Sequence, residues 1–165
     1  MRIVDPQSRE TGQTVAIVIS KATPADEADW RNLWAEWQRY MSGDVPPHVT
    51  GQTWKLLMSE GSELHALIAR DTPGRAIGFA NVSMTTFAWT AAPILFLQDF
   101  LVTADMRGRG FGRELLKGVY DFADRQGASQ VFWMVDEKDG RLQAFYARHA
   151  VRTPYLRYMR FPWPW

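Results

Sequence analysis

Between Val102 and Leu116 the chain reads VTADMRGRGFGRELL, a stretch in which charge and backbone freedom coincide. Arg107, Arg109 and Arg113 bring three permanent positive charges, and Gly108, Gly110 and Gly112 fall at alternate positions among them. Glycine lets the backbone approach a ligand closely and aim successive N–H groups at one point. An apolar run leads into the turn and a helical pattern opens after it, so a helix N-terminus adds its positive end. This is an anion site, and a pyrophosphate fits its size. Two other phosphate motifs fail here. The P-loop needs a Lys-Ser/Thr pair after its last glycine, and there is none. The dinucleotide fingerprint needs GxGxxG; Gly108 and Gly110 match, but position 113 is arginine and the turn lies late in the chain. Just upstream, Asp99 sits among Phe96, Leu97 and Phe100, where an unpaired carboxylate charge would be costly.

The elements that must hold these residues can be read from pattern. Residues 1–13 read as a loose leader, and Val15–Ile19 as a short strand. Thr23 followed by Pro24 marks a helix start, with Asp26 and Glu27 in its first turn. Trp30, Leu33, Trp34, Trp37 and Met41 then recur at helical spacing until Gly43–Pro47 ends the stripe. A second helix is expected from about Gln52 to Glu60. Strands follow at Leu64–Ala69, Ala76–Met84 and Ile94–Val102, a helix at Gly110–Gln126, a strand at Val131–Val135, a helix at Leu142–His149 and a last strand at Tyr155–Phe161. The order predicts an α/β (α+β) fold: a mixed, mostly antiparallel central sheet flanked by helices, in a single domain over 14–165.

The chain has 165 residues, 46% of them hydrophobic and 22% charged, which is ordinary globular usage. It has no cysteine, so disulfides, thiolate metal ligands and a cysteine nucleophile are excluded. His48, His65 and His149 are scattered without ligand spacing, so no metal is implied. Nineteen basic against eighteen acidic residues leave a charge of +1, which argues against a nucleic-acid partner. The balance is uneven: residues 1–100 hold 8 basic and 11 acidic side chains, residues 101–165 hold 11 and 7. An acidic front and a basic back suit a cationic substrate meeting an anionic one, although solvated helix faces give the same pattern. No apolar run approaches the roughly 20 residues of a membrane span, and the polar N-terminal stretch does not read as a signal peptide. A cytoplasmic location with no membrane partner is expected.

The turn Arg107-Gly108-Arg109-Gly110-Phe111-Gly112 resembles the RxxGxG/A motif of the GNAT acetyltransferase superfamily. With the preceding FLQDFLV it resembles in particular the diamine (spermidine/spermine-type) branch. GRAIGFANVSM from Gly74 and DGRLQAFYARHA from Asp139 are similar to the family's third-strand and C-terminal segments. The resemblance implies acetyl-CoA as co-substrate, its pyrophosphate held by residues 107–112 with Arg113. It also implies that backbone N–H groups at Phe100, Leu101 and Val102 polarise the thioester carbonyl, and that Tyr146 is the general acid for the departing thiolate, in contact with the cofactor. Asp139 stands where the family often has an asparagine on the pantetheine arm.

An alkylammonium with pKa near 10 is not nucleophilic, so amine acetylation needs a base or an amine that arrives neutral. Gln98 stands where the diamine branch usually carries glutamate, and glutamine takes no proton. Asp99, or a water held by it or by Glu36, is the candidate. Glu36, Tyr40, Trp89 and Gln98 are candidate acceptor contacts, since aromatic faces attract ammonium groups. His149 reads as a surface histidine. The expected activity is acetyl transfer to a primary amine of a small molecule, polyamine-like or otherwise cationic, by direct transfer in a ternary complex. A protein or peptide acetyltransferase and a non-catalytic acyl-CoA-binding module are the alternatives. The aromatic tail Phe161–Trp165 is expected to pack on a neighbouring subunit or cover the site, and the resemblance implies a homodimer.

Overall fold

A computed structural model describes residues 17–160. Its backbone of order is a five-stranded sheet: β1 (Val18–Lys21), β2 (Leu64–Arg70), β3 (Ala76–Phe87), β4 (Ala92–Val102) and β5 (Val131–Phe132), lying in that order. The first four strands are antiparallel, and β5 runs parallel to β4. Hairpins join β2–β3 and β3–β4, whereas the parallel step to β5 requires a crossover, which is helical. The helices are α1 (Glu27–Tyr40), α2 (Pro47–Met58), α3 (Phe111–Arg125) and α4 (Gly140–Tyr146). The chain divides into two compact units, Met1–Trp133 and Met134–Trp165. The first carries the whole sheet with α1–α3; the second carries α4 and irregular chain. The α/β fold expected from the sequence is the one observed.

Each helix is positioned by its apolar stripe. From α1, Trp30 and Leu33 join Trp54 and Leu57 of α2 over Ala66, Ile68, Phe79 and Leu101 of the sheet. The rings of Trp30 and Trp34 stack 5.6 Å apart, and Trp54 lies against Trp30 at 5.3 Å. From α3, Phe111, Leu115, Leu116, Val119 and Phe122 are buried. Thr23 and Pro24 begin the first helical segment as their types predict. They form a short 3-10 turn before α1, with the Asp26 carboxylate accepting from the Thr23 backbone N–H at 2.7 Å and from its hydroxyl at 2.8 Å.

The β3–β4 ladder carries a fault that shapes the site. Asn81 faces Asp99, yet Val82 faces Leu97, so Gln98 is an extra residue on β4. Such a bulge bends the strand and re-aims its side chains.

Several expected boundaries move. The second helix starts at Pro47, not near Gln52, because a proline at the first helical position sacrifices no hydrogen bond. Strand β5 ends at Phe132 instead of Val135, its ladder spanning only Leu95↔Val131 and Phe96↔Phe132. Helix α4 starts at Gly140 instead of Leu142 because Asp139 caps its N-terminus, and it ends at Tyr146 instead of His149. The last strand does not form over residues 155–160, and Val151, Tyr155, Leu156 and Tyr158 are exposed. A strand has no internal hydrogen bonds and persists only where a neighbour completes its ladder. The strand expected from Val15 is observed at Val18–Lys21. The leader 1–13 and the tail Phe161–Trp165 lie outside the described residues.

Candidate functional site

β4 delivers the chain to the glycine-rich turn. Its last ladder bond is followed by Thr103, whose N–H donates to the Ile77 carbonyl at 2.9 Å, and by a 3-10 turn over Ala104–Met106. Gly108 then takes φ = +77° and Gly110 φ = +87°, the left-handed region that a side chain resists. Gly112 is different: it already belongs to the first turn of α3. Gly110 is the N-cap of α3, and no side chain caps the helix. The Arg113 and Glu114 amides are satisfied by the Gly110 carbonyl at 3.0 and 3.2 Å. The two earlier amides, of Phe111 and Gly112, precede the first intrahelical bond and point out of the helix end. That is the geometry of an anion-binding terminus.

The three arginines are not equivalent. The Arg107 Nε donates to the Val102 carbonyl at 2.9 Å, and its guanidinium carbon lies 5.0 Å from the centroid of the Tyr40 ring. It is therefore folded against the end of β4 and the last turn of α1. Arg109 is exposed, with one guanidinium nitrogen 3.9 Å from the Met106 sulfur. Arg113 is exposed and paired with Glu114 at 3.1 Å. An exposed pair contributes little stability, so Arg113 is available to exchange its partner for a phosphate.

Asp99 is a half-buried carboxylate on the strand that leads to this turn. One oxygen accepts from the Trp37 indole N–H at 2.8 Å, the other from the Asn81 carboxamide at 2.9 Å. Asn81, itself 2% exposed, accepts from the Trp30 indole N–H at 3.1 Å. Burial lifts the Asp99 carboxyl above the ordinary carboxylate range, and the Asn81 and Trp37 donors oppose that rise. Gln98 donates to the Ser83 hydroxyl at 2.8 Å. Asn81 and Ser83 share one face of β3, so the bulge presents Gln98 and Asp99 on the same face of the sheet, the one covered by α1.

The other expected acceptor contacts separate. Glu36 accepts from the Ala104 backbone N–H at 3.1 Å, so it braces the approach to the turn. Tyr40 stacks on Trp37 at 5.7 Å and lies beneath Arg107. Both stand with Asp99 around the last turns of α1. Trp89 does not: it is 90% exposed at the tip of the β3–β4 hairpin, stacked on Phe87 at the opposite end of β4 from the turn. Phe100, Leu101 and Val102 lie on β4 downstream of its two-residue ladder with β5. That short ladder fits strands that diverge toward the turn. Trp37, Asn81 and Ser83 went unnamed as site residues in the sequence, although two polar residues inside the apolar run GFANVSM were a visible signal.

In the second unit, Asp139 is the N-cap of α4: its Oδ1 accepts from the Leu142 N–H at 2.9 Å. This gives Asp139 a structural reason to be acidic. Tyr146 ends α4, its ring 5.0 Å from that of Phe145, and His149 lies 5.0 Å from Phe145 on the following turn. Among the described residues, no group of three or more His, Asp or Glu is placed to hold a metal ion, and no helix is long and apolar enough to cross a membrane.

A strand followed by two left-handed glycines and an uncapped helix, within a mixed sheet of this order, presents an anion-binding helix end. The acetyltransferase (GNAT) family profile matches residues 28–150, and the chain belongs to that family. It is 33% identical over 145 residues to the D-amino-acid N-acetyltransferase HPA3 of Saccharomyces cerevisiae, covering 87% of this chain and 90% of that protein. Its fold is similar to that of the aminoglycoside N-acetyltransferase AAC(6')-Iy in complex with CoA (TM-score 0.76, 19% identity, 90% and 96% of the two chains). It is also similar to the ribosomal-protein-alanine N-acetyltransferase of Brucella melitensis biovar Abortus 2308 (TM-score 0.73, 20% identity, 88% and 100%). The chain is an acyltransferase, and the family's co-substrate is acetyl-CoA.

Proposed function

We propose that this protein transfers the acetyl group of acetyl-CoA to a primary amine of a small cationic molecule by direct attack in a ternary complex. One observation carries the reading: an uncapped helix terminus behind two left-handed glycines follows the strand that carries a half-buried carboxylate. Acetyl-CoA supplies the thioester. The amides of Phe111 and Gly112, with Arg109 and Arg113, hold its pyrophosphate, while Arg107 fixes the turn against Tyr40. Backbone N–H groups at Phe100–Val102 support the negative charge that develops on the carbonyl oxygen. Asp99 takes the ammonium proton, directly or through a water, and the freed nitrogen attacks the thioester carbon. The C–S bond breaks, Tyr146 supplies a proton to the leaving thiolate, and the nitrogen, now bonded to the acetyl carbon, releases its second proton, which restores Tyr146. Glu36, Tyr40 and Gln98 border the acceptor side, and Asp139 stands at the start of the helix that carries Tyr146. The polyamine-type acceptor is favoured by Asp99-Phe100 ahead of the arginine–glycine turn. A free amino acid, in particular a D-enantiomer, is the second reading, favoured by the yeast relative. The exposed residues Val151, Tyr155, Leu156 and Tyr158 fit a homodimer that covers them.

The test is thiol release from acetyl-CoA over a panel of polyamines, D- and L-amino acids, aminoglycosides and lysine peptides. Turnover confined to diamines and polyamines supports the first reading, and turnover confined to D-amino acids replaces it with the second. A flat response across the panel overturns both. The Tyr146→Phe variant should lose about tenfold to a hundredfold in kcat and keep its acetyl-CoA affinity; unchanged kcat returns Tyr146 to a packing role.

A further inference from the structure

Trp30, Asn81 and Trp37, which are linked by hydrogen bonds to Asp99, have no role assigned above. We propose that Trp37 and Asn81 are positioning residues that lock the Asp99 carboxylate in place and in its ionised form, with Trp30 setting the direction of the Asn81 amide. The inference rests on the reading of Asp99 as the proton acceptor.

The argument is one of donors and acceptors. An indole N–H only donates, so Trp30 at 3.1 Å must face the Asn81 carbonyl oxygen. The carboxamide NH2 is thereby turned toward Asp99, at 2.9 Å. Trp37 is likewise a donor only, and it occupies the other carboxylate oxygen at 2.8 Å. Both donors stabilise the negative charge of the anion and so oppose the effect of burial. Two fixed donors on two different oxygens also fix the plane of the carboxylate, while each oxygen keeps a lone pair for a proton in transit. The groups that hold the donors are themselves buried or stacked: Trp30 is fully buried against Trp34 and Trp54, and Trp37 lies flat on Tyr40.

No other charge on β3 or β4 competes. β3 carries no ionisable residue, and Asp99 is the only one on β4. On α1 the neighbouring ionisable groups are Glu36, Arg39 and Tyr40. Glu36 is engaged by the Ala104 amide, and Tyr40 by Trp37 and Arg107. The side chain of Tyr40 thus joins the carboxylate's clamp to the first arginine of the phosphate turn.

The decisive measurement is the titration of Asp99 itself, by carbon NMR of protein labelled at the aspartate carboxyl carbons. The Asp99 signal is assigned by its loss in Asp99→Asn. Trp37→Phe keeps an aromatic side chain and removes the indole N–H donor, so the Asp99 midpoint should rise by about one pH unit. The acid limb of kcat/KM for the amine should move with it, and KM for acetyl-CoA should stay. Asn81→Ser replaces the carboxamide donor with a shorter hydroxyl that lacks its reach and gives an independent reading of the same shift. Midpoints at the wild-type value in folded Trp37→Phe or Asn81→Ser would overturn the proposal. An acid limb unaffected by Asp99→Asn would remove Asp99 as the base and so defeat the functional reading, whereas the NMR midpoint still decides whether the clamp exists.

Discussion

Gly110→Ala separates the two demands made on the phosphate turn. At φ = +87° an alanine Cβ is strained by about 1–2 kcal/mol. The space itself is open, the nearest atom being an Arg113 guanidinium nitrogen at 3.9 Å, so there is no clash to add. Alanine also restricts the unfolded chain, which returns about 0.4–1 kcal/mol. The net cost is therefore about 1 kcal/mol, or about 2–4 °C in Tm for a chain of this length. The effect on acetyl-CoA should be larger. If the backbone relaxes from the left-handed region, the Phe111 and Gly112 amides turn away from the anion. Losing one hydrogen bond to a charged group costs about 1.5–3 kcal/mol, which is roughly tenfold to a hundredfold in Kd. Gly112→Ala is the partner experiment. Gly112 is helical, so alanine should stabilise the apo protein by about 0.5–1 kcal/mol while placing a methyl group where the pyrophosphate approaches. Thermal unfolding without ligand and calorimetric titration with acetyl-CoA read the two effects apart. If Gly110→Ala melts and binds like the wild type, the left-handed turn is not what holds the anion. If Gly112→Ala binds normally, the pyrophosphate does not approach the first turn of α3.

Two further outcomes follow from buried or capped groups. Burial, followed by the positive charge of Lys21, holds the His65 imidazole below its ordinary pKa, and its ring packs edge-on to Phe122 at 5.3 Å. The unfolded chain therefore binds this proton first: the contribution is fully present above the unfolded pKa of about 6.5 and is lost as pH falls through the folded value. Tm measured from pH 7.5 down to 5 should fall more steeply in wild type than in His65→Gln, and parallel curves would refute the assignment. Burial raises the Asp26 carboxyl, but hydrogen bonds from Thr23 and Arg70 outweigh it and hold the group below its usual range. Asp26→Ala should cost about 1 kcal/mol in denaturant unfolding by removing the capping acceptor, and an unchanged midpoint would show the cap to be redundant.

The sequence was most legible where one residue type has one physical use. Glycines that alternate with arginines between an apolar strand and a helix could be placed at once, and the structure sets Gly108 and Gly110 at the positive φ that only glycine adopts readily. The stripe Trp30–Leu33–Trp34 gave α1 and its buried face. Residues whose type has several uses show partners that their place in the chain did not announce. Asp139, expected at the cofactor, also caps α4, the commonest work of an aspartate before a helix. Glu36, expected at the acceptor, also accepts from a backbone amide. Trp89 was grouped with the acceptor wall by type alone, and a hairpin of this length carries it away. The strand expected over 155–161 had the right alternation, but alternation reports a capacity for pairing and not the presence of a partner.

The bulge at Gln98 shows why the site could not have been assembled from periodicity. Strict alternation along β4 would put Gln98 and Asp99 on opposite faces of the sheet, so only one of them could reach α1. The inserted residue cancels that alternation for one step, and both side chains meet partners on the same face of β3: Ser83 for Gln98, Asn81 for Asp99. A bulge leaves no mark in hydrophobic pattern, since it is a property of the pairing between two strands. It does leave a mark in composition. A strand otherwise built of Ile, Leu and Phe carries two adjacent polar residues, and its neighbour β3 carries Asn81 and Ser83 two apart in an equally apolar run. Polar residues confined to matching stretches of two paired strands satisfy one another or water. The same confinement gives Asp99 fixed donors and an apolar setting together, and that pairing lets a carboxylate stay ionised yet accept a proton readily.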